Sequence, residues 1–201
     1  DRDTNDIFAI QSDIAQQIAA ALKATLTPAE KERIEKKPTK DILAYEYCVR
    51  GREYYFRYKK EDNEQAIKFF KKAIELDPDY ALAHAGLADT YYQGMLIFGL
   101  PEAQSFGPAL EEAQKAISLD PDLAEGYKSI GTLYGFIKGW WRKAIEVGQK
   151  AVAANPNSSL ACGALGEYYL NIGEFDKALP FAKKAVALDA VDWPANYERA
   201  P

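Results

Sequence analysis

Side chains that could do chemistry are few and widely separated in this sequence. Its 201 residues contain one histidine, His84, and two cysteines, Cys48 and Cys162. Catalysis needs a reactive group beside an orienting partner, and a metal site needs clustered ligands. The sequence has no CxxC spacing, HExxH, GxSxG or glycine-rich phosphate loop. It therefore predicts no catalytic centre, cofactor or metal site in this chain, and we interpret His84 as a helix residue used for packing.

Charge and composition exclude further classes of function. A net charge of -5 and a pI near 5.1 provide no basic surface for nucleic acid. No apolar run approaches the roughly 20 residues that a membrane span requires, so membrane insertion is not expected. The chain opens on Asp1 rather than methionine, and Trp193-Pro194 looks like the start of another element. We interpret the chain as part of a longer protein.

The first 38 residues predict two helices. Apolar residues at spacings of three and four between Asp6 and Leu26 form the stripe of an amphipathic helix. Thr27-Pro28-Ala29-Glu30 then carries a helix-start signal, and Pro38 ends the second helix. We expect residues 1–38 to form a helical linker. The Ile7 to Leu26 helix is expected either to pack on the first repeat or into the groove of the repeats, burying Ile7, Ile14, Ile18 and Leu22, or to cover an upstream domain.

Regular stop signals divide the remainder of the chain. Leu-Asp-Pro or Asn-Pro occurs at Pro78, Pro121 and Pro156, and Leu188-Asp189-Ala190 occupies the fourth position, at intervals of 43, 35 and 34 residues. Within each interval, two apolar helical patterns are separated by a turn, and alanines recur in the second pattern. This periodicity predicts a repeat of helix pairs.

Each repeat carries a small residue in the middle of its first helix, and a tyrosine follows three residues later. The small residues are Gly51, Ala88, Gly131 and Gly166. Glycine inside a helix costs about 1 kcal/mol relative to alanine. We therefore expect the paired helix to pack closely against these positions, and the tyrosines to fill the space between helices.

Residues Tyr45 to Ala190 resemble the tetratricopeptide repeat family, whose period is 34 residues. The fourth repeat matches best, because Leu165, Gly166, Tyr169, Gly173 and Ala178 fall in register without a gap. The other copies depart by about three extra residues near Tyr58 to Asp62, about nine in Gly94 to Pro101 and one near Gly139.

This resemblance implies an all-α fold, a right-handed superhelix of about four helix pairs preceded by the amphipathic helix. The repeat domain would cover residues 39–201. Its repeats would span about 44–78, 79–121, 122–156 and 157–190, and a further helix would start within 191–201.

The flanks resemble one bacterial group within this family. Asp6 to Ala15, Ala44 to Tyr47 and Arg50-Gly51-Arg52 look like the region that follows a TolB-like domain in adenylate or guanylate cyclases and winged-helix regulators. This resemblance implies a module of a larger signalling or regulatory protein. A cyclase context implies the cytoplasm, whereas an upstream membrane span would imply the periplasm.

The same register implies which residues line the inner surface of the superhelix. The ones we select as a peptide groove are Tyr45, Cys48, Arg52, Tyr55, Phe56, Asp89, Tyr92, Lys128, Phe136 and Glu167. Family members that bind a chain's free carboxylate use a basic clamp, but here Asp89 and Glu167 stand at positions equivalent to Arg52. We therefore expect a protein partner that presents a helix or an extended peptide with apolar anchors.

The alternative function is assembly of the parent protein with itself as a homodimer or larger oligomer. The apolar segment Met95 to Leu100 could supply part of such an interface. A loop that folds back on its own repeat is the simpler interpretation of this segment.

Overall fold

A computed structural model describes residues 7–21 and 28–188, and every regular element in these ranges is a helix. The chain forms two compact units, Asp1–Lys40 and Asp41–Pro201. The predicted start of a further helix within 191–201 lies outside the described residues. None of the helices in the described ranges is both long and apolar enough to cross a membrane.

The first unit is a hairpin of two helices. Helix α1 spans Ile7–Ala21 and α2 spans Pro28–Glu35, so the second helix starts at the predicted proline. The Ser12 hydroxyl donates to the carbonyl of Ile34 (2.7 Å), and the Gln16 amide donates to the Glu35 carboxylate (3.2 Å). The predicted end of the first helix, Leu22 to Leu26, lies outside the described residues. Packing of α1 on the repeats stays a prediction.

Up to Leu188, where the described residues end, the second unit contains four helix pairs, as the repeat pattern predicts. The pairs are α3 (Ile42–Tyr55) with α4 (Lys60–Leu76), α5 (Ala81–Ile97) with α6 (Glu102–Leu119), α7 (Ala124–Thr132) with α8 (Trp141–Ala154), and α9 (Ser159–Asn171) with α10 (Phe175–Leu188). The second helix of each of the first three pairs also packs against the first helix of the next pair. The result is an α-solenoid, which confirms the predicted fold class.

The Asp-Pro and Asn-Pro stop signals end the second helices in the manner expected, but their polar side chains act locally. The backbone N–H of Asp79 donates to the Asp77 carboxylate (3.1 Å), and Asp122 and Asn157 donate in the same way to the side chains two residues before them. These are Asx turns. The aspartates and the asparagine therefore stabilise the connections between successive helix pairs.

Alanines allow the helices of the first three repeats to approach each other closely. Ala66, Ala109 and Ala144 occupy equivalent positions in α4, α6 and α8, and all three are inaccessible to solvent. The remaining space is filled by larger buried side chains, including Phe70, Leu133 and Tyr168. Full burial of a side chain of this size stabilises a fold by about 1.5–3 kcal/mol.

Glycines inside the first helices are required by close neighbours, but these neighbours differ from repeat to repeat. A Cβ at Gly51 would lie 3.0 Å from the ring of Phe70, and one at Gly166 would lie 3.3 Å from the backbone of α10. Both neighbours belong to the paired helix, as expected. At Gly131 the prediction is wrong, because the nearest atoms belong to Tyr168 in the next repeat, 2.7 Å from the hypothetical Cβ.

The extra residues of the second and third repeats are absorbed in two ways. In the second, α5 extends to Ile97, and Leu100 folds back so that its backbone N–H donates to the Gly94 carbonyl (2.9 Å). In the third, the extra residue predicted near Gly139 lies just before it. It is accommodated by a π-helical turn, Leu133–Ile137, that continues α7. A π turn holds one more residue than an α turn, so the helix continues with its later side chains rotated.

Candidate functional site

The first helices of the four pairs form one layer of the solenoid. Helix α3 contacts α5, α5 contacts α7, and α7 contacts α9, whereas contacts between successive second helices in the described residues are far sparser. The layer with the closer contacts is the inner side of a curved array. We call the accessible surface of this layer the inner face. It is formed by the side chains that point away from the second helices, on α3, α5, α7 with its π turn, and α9.

Nine of the ten residues predicted for the groove have accessible side chains. Arg52, Phe56 and Glu167 are exposed, and six others are half-buried: Tyr45, Tyr55, Asp89, Tyr92, Lys128 and Phe136. Cys48 is different, because only 1% of its surface is accessible. It packs in the core beside Tyr80, and burial raises the pKa of its thiol. The prediction that Cys48 lines the groove is therefore wrong.

An ion pair lies in the middle of the inner face. The Lys128 ammonium group binds the Asp89 carboxylate, and the side chains are only 12% and 14% exposed. The hydroxyl of Ser129 donates to the other oxygen of Asp89 (2.6 Å). Lys128 thus neutralises the Asp89 carboxylate, and Ser129 orients it. The ion pair of Lys128 with Asp89 joins α5 to α7.

Glu167 occupies the equivalent position in the fourth repeat, in a different environment. Although water reaches this side chain, the helices around it partly desolvate the carboxylate and raise its pKa. No cation or hydrogen-bond donor pairs with this carboxylate in the part of the chain that the structure describes. Glu167 therefore presents an acidic group that is available to a ligand.

Aromatic side chains form two groups, on the inner face and in the segments that directly follow α3 and the π turn. In the first, the ring of Tyr55 lies edge-on to Phe56 (5.1 Å between centroids) and 6.3 Å from Tyr58. In the second, Phe136 lies 6.1 Å from Tyr92 and packs edge-on against Trp141 at 4.9 Å. Phe136 belongs to the π turn, so the extra residue of the third repeat determines where its ring lies.

Tyr58 has a backbone conformation that is unusual for a tyrosine. The turn within each repeat contains one residue with positive φ: Tyr58 (52°), Gly99 (73°), Gly139 (68°) and Gly173 (78°). Glycine adopts this region without cost, whereas a residue with a Cβ does not. The first repeat thus holds an aromatic ring, 58% exposed, where the other repeats have glycine.

A buried polar network that the sequence analysis missed fixes the first two repeats. The Asn63 amide donates to the carbonyl of Thr90 (3.0 Å) and to Oε1 of Gln93 (2.9 Å). The Gln93 amide donates in turn to the carbonyl of Tyr55 (3.1 Å). The network holds the end of α3, and with it the first aromatic group. The only sequence signal was that Asn63 replaces the aromatic residue of the other repeats.

His84 has a structural role, in agreement with its interpretation as a packing residue. The side chain is buried, with Nδ1 at 2.5 Å from Oε2 of Glu112 and Nε2 at 3.0 Å from the carbonyl of Pro78. It joins α5 to α6 and to the preceding turn.

A stack of helix pairs with an accessible inner face defines the class of α-solenoid repeat proteins. Family models then specify the repeat: one described as TPR repeat matches residues 56–94, and one described as tetratricopeptide repeat matches residues 160–192. The chain belongs to the tetratricopeptide repeat family.

Two relatives support the family. The chain is 30% identical, over 69% of its length, to a putative adenylate cyclase 3 of Rhizobium meliloti. It is 29% identical, over 50% of its length, to an Hsp70-Hsp90 organizing protein of Arabidopsis thaliana. The matched regions cover 24% and 16% of these two proteins, so the chain spans only a minor part of each.

Solved structures support the fold. A thermophilic TPR protein of Thermus thermophilus superposes with a TM-score of 0.61 over 73% of this chain and 75% of its own, at 24% identity. The repeats, together with the relatives found by sequence, support a protein–protein interaction module.

Proposed function

We propose that the inner face binds a segment of a protein partner, and that the chain is a non-catalytic scaffold or sensory module of a larger bacterial signalling or regulatory protein. The partner's segment would lie across α3, α5, α7 and α9, as an extended peptide or an amphipathic helix.

The exposed aromatic group of the first repeat is the observation that carries this proposal. Phe56 is 60% exposed and Tyr58 is 58% exposed, although both are large rings whose burial is favourable. Their neighbour Tyr55 is held by the network of Asn63 and Gln93, so the group is preorganised. Exposed, rigidly placed aromatic side chains are typical of the residues that dominate binding energy at protein interfaces.

The charges of the inner face argue against a free chain terminus as the anchor. At the helix position that Arg52 occupies in the first repeat, the later repeats have Asp89, Thr132 and Glu167. The unpaired carboxylate of Glu167 would oppose a ligand's terminal carboxylate, and the cation of Lys128 is already paired with Asp89. An internal segment with apolar side chains fits better, because the rings of Tyr92 and Phe136 continue the aromatic surface beyond the first repeat.

The similarity to a putative adenylate cyclase supports the signalling context. Under this proposal, the repeats recruit a partner or report its presence, while any enzymatic activity belongs to other domains of the parent protein. Such a module would act in the cytoplasm.

The proposal is tested by selecting peptides and mapping where they bind. Random 12-residue peptides displayed on phage are selected on the immobilised chain, and the affinity of each selected peptide is measured by calorimetry. Phe56→Ser should weaken binding at least about tenfold, which corresponds to 1.4 kcal/mol. Phe175→Ser is the matched control, since Phe175 is 65% exposed and lies at the start of α10, outside the inner face. Equal affinities for both variants would contradict the proposal.

Self-association is a second candidate function, favoured by a separate apolar surface. On α10, Phe175, Leu179 and Val186 are exposed. Sedimentation velocity at several concentrations would detect a dimer, and Leu179→Ser should abolish it. A monomer at every concentration would remove this candidate without affecting the first.

A further inference from the structure

One helix position, equivalent in the four repeats, carries a charged side chain in three of them. It carries Arg52 in α3, Asp89 in α5, Thr132 in α7 and Glu167 in α9. The first and last of these side chains are exposed and opposite in charge. A bound segment would therefore meet a basic group at one end of the face and an acidic group at the other.

The two carboxylates at this position are not equivalent. Asp89 is neutralised by Lys128 and accepts a hydrogen bond from Ser129, so its charge is already satisfied. Glu167 has no such partner in the described residues, and its desolvation raises the pKa of its carboxyl group. A partly desolvated charge without a partner is unfavourable, and binding of a cation would relieve it.

Tyr92 lies within reach of this charge. Burial raises the pKa of the Tyr92 hydroxyl, and the carboxylate of Glu167 raises it next most strongly, followed by Asp89. The geometry agrees, because the ring of Tyr92 contacts Phe136 at 6.1 Å between centroids, and Phe136 packs against the core cluster that contains Tyr168, the residue after Glu167. A carboxylate beside an aromatic ring is a combination that binds cations, because the face of the ring attracts positive charge as well.

Tyr58 extends the aromatic surface at the cost of an unfavourable backbone. Its ring lies 6.3 Å from the ring of Tyr55, measured between centroids. Gly99, Gly139 and Gly173 occupy the same turn in the other repeats, so a tyrosine is not needed to make the turn. Local strain of this kind concentrates at functional sites.

We propose that Glu167 and the ring of Tyr92 form a subsite for the lysine or arginine side chain of the bound segment. This inference rests on the proposed function and specifies the chemistry of the ligand. The cation pairs with the Glu167 carboxylate and lies against the Tyr92 ring, and the apolar part of the segment contacts the aromatic group of Tyr55, Phe56 and Tyr58. Net charge complementarity favours the same ligand, since the chain carries a net charge of -5.

Peptides selected on the chain provide the test. Those that lose affinity with Phe56→Ser should be enriched in lysine or arginine relative to the library. In such a peptide, replacing arginine by citrulline removes the charge and keeps the shape, and should weaken binding to the parent chain about tenfold. With Glu167→Gln the same replacement should change affinity less than about twofold, because the pairing charge is already absent.

Glu146→Gln is the matched control for net charge. Glu146 is exposed on α8, outside the inner face, so this variant should keep the tenfold effect of citrulline. An equal citrulline effect in the parent and Glu167→Gln would overturn the subsite.

Failure of the subsite can be distinguished from failure of the proposed function. Selected peptides that depend on Phe56 but lack basic residues would overturn the subsite and leave peptide binding intact. If no peptide is selected, or none depends on Phe56, both the proposed function and the subsite are wrong.

Discussion

The ammonium group of Lys128 in α7 binds the carboxylate of Asp89 in α5, and this ion pair joins the first helices of two neighbouring repeats. The pair is mostly shielded from water, whereas the pair of Lys138 with Glu102 is considerably more exposed. The two pairs both cross between repeats, so they provide an internal comparison of shielded and exposed charge.

Lys128→Met should destabilise the chain by about 1–3 kcal/mol, because it leaves the Asp89 carboxylate without its cation in a shielded position. Lys138→Met should cost less than about 1 kcal/mol, as is usual for exposed pairs. Urea denaturation of both variants measures the difference. Equal losses of unfolding free energy in the two variants would show that the Lys128–Asp89 pair contributes no more than a solvent-exposed ion pair.

Gly131→Ala should destabilise the third repeat, because the new methyl group would lie 2.7 Å from the Tyr168 ring. Overpacking of this kind costs about 1–3 kcal/mol. Gly163→Ala in α9 is the control, since the nearest atom outside its own helix, Cβ of Ala185, lies 3.8 Å from its hypothetical Cβ, an ordinary contact distance. That variant should gain about 1 kcal/mol of stability from helix propensity alone. The midpoint temperature of thermal unfolding should thus fall for Gly131→Ala and rise for the control, although both variants replace glycine by alanine.

Tyr58→Gly should increase stability by about 1 kcal/mol, because it relieves the positive φ of Tyr58 and removes little packing from an exposed ring. The reverse comparison is Gly173→Ala, which places a Cβ at φ 78° and should lose a similar amount. Urea denaturation tests both. A loss of stability in Tyr58→Gly would mean that the ring packs more strongly than its exposure indicates.

Much of the fold was predictable because its signals are local. Stop signals such as Asp77-Pro78 mark the ends of the second helices, and alanines such as Ala66 mark where helices meet. These features repeat, so each copy supports the interpretation of the others. The same logic selected nine residues whose side chains are accessible in the structure.

The errors share a physical cause, which is that they depend on neighbours distant in the sequence. A single extra residue can be absorbed by a loop or by a π turn, and in the third repeat it is absorbed by the π turn Leu133–Ile137. Tyr168 fills the space beside Gly131 from the next repeat, 37 residues later, and Cys48 packs in the core beside Tyr80. No local pattern distinguishes these outcomes, whereas repetition within the chain defines the helices themselves.

Glu167→Gln should make the unliganded chain more stable at neutral pH. Desolvation raises the pKa of Glu167 above its ordinary value of 4.5, so in the window above 4.5 the folded state binds more protons than the unfolded state. The stability of the parent therefore falls as the pH rises through that window, and glutamine avoids this loss. The advantage of Glu167→Gln should be present at pH 7 and vanish below pH 4.5.

Urea denaturation of the parent and Glu167→Gln at pH 4 and pH 7 checks this sign, and Glu146→Gln should match the parent at both values. With a saturating arginine-containing peptide selected as above, the order at pH 7 should reverse, because the ligand supplies the cation that Glu167 lacks and stabilises the parent through binding. A lower stability of Glu167→Gln without ligand would instead show that the Glu167 carboxylate has a favourable partner within the fold. The glutamate would then be a structural residue rather than one available to a partner.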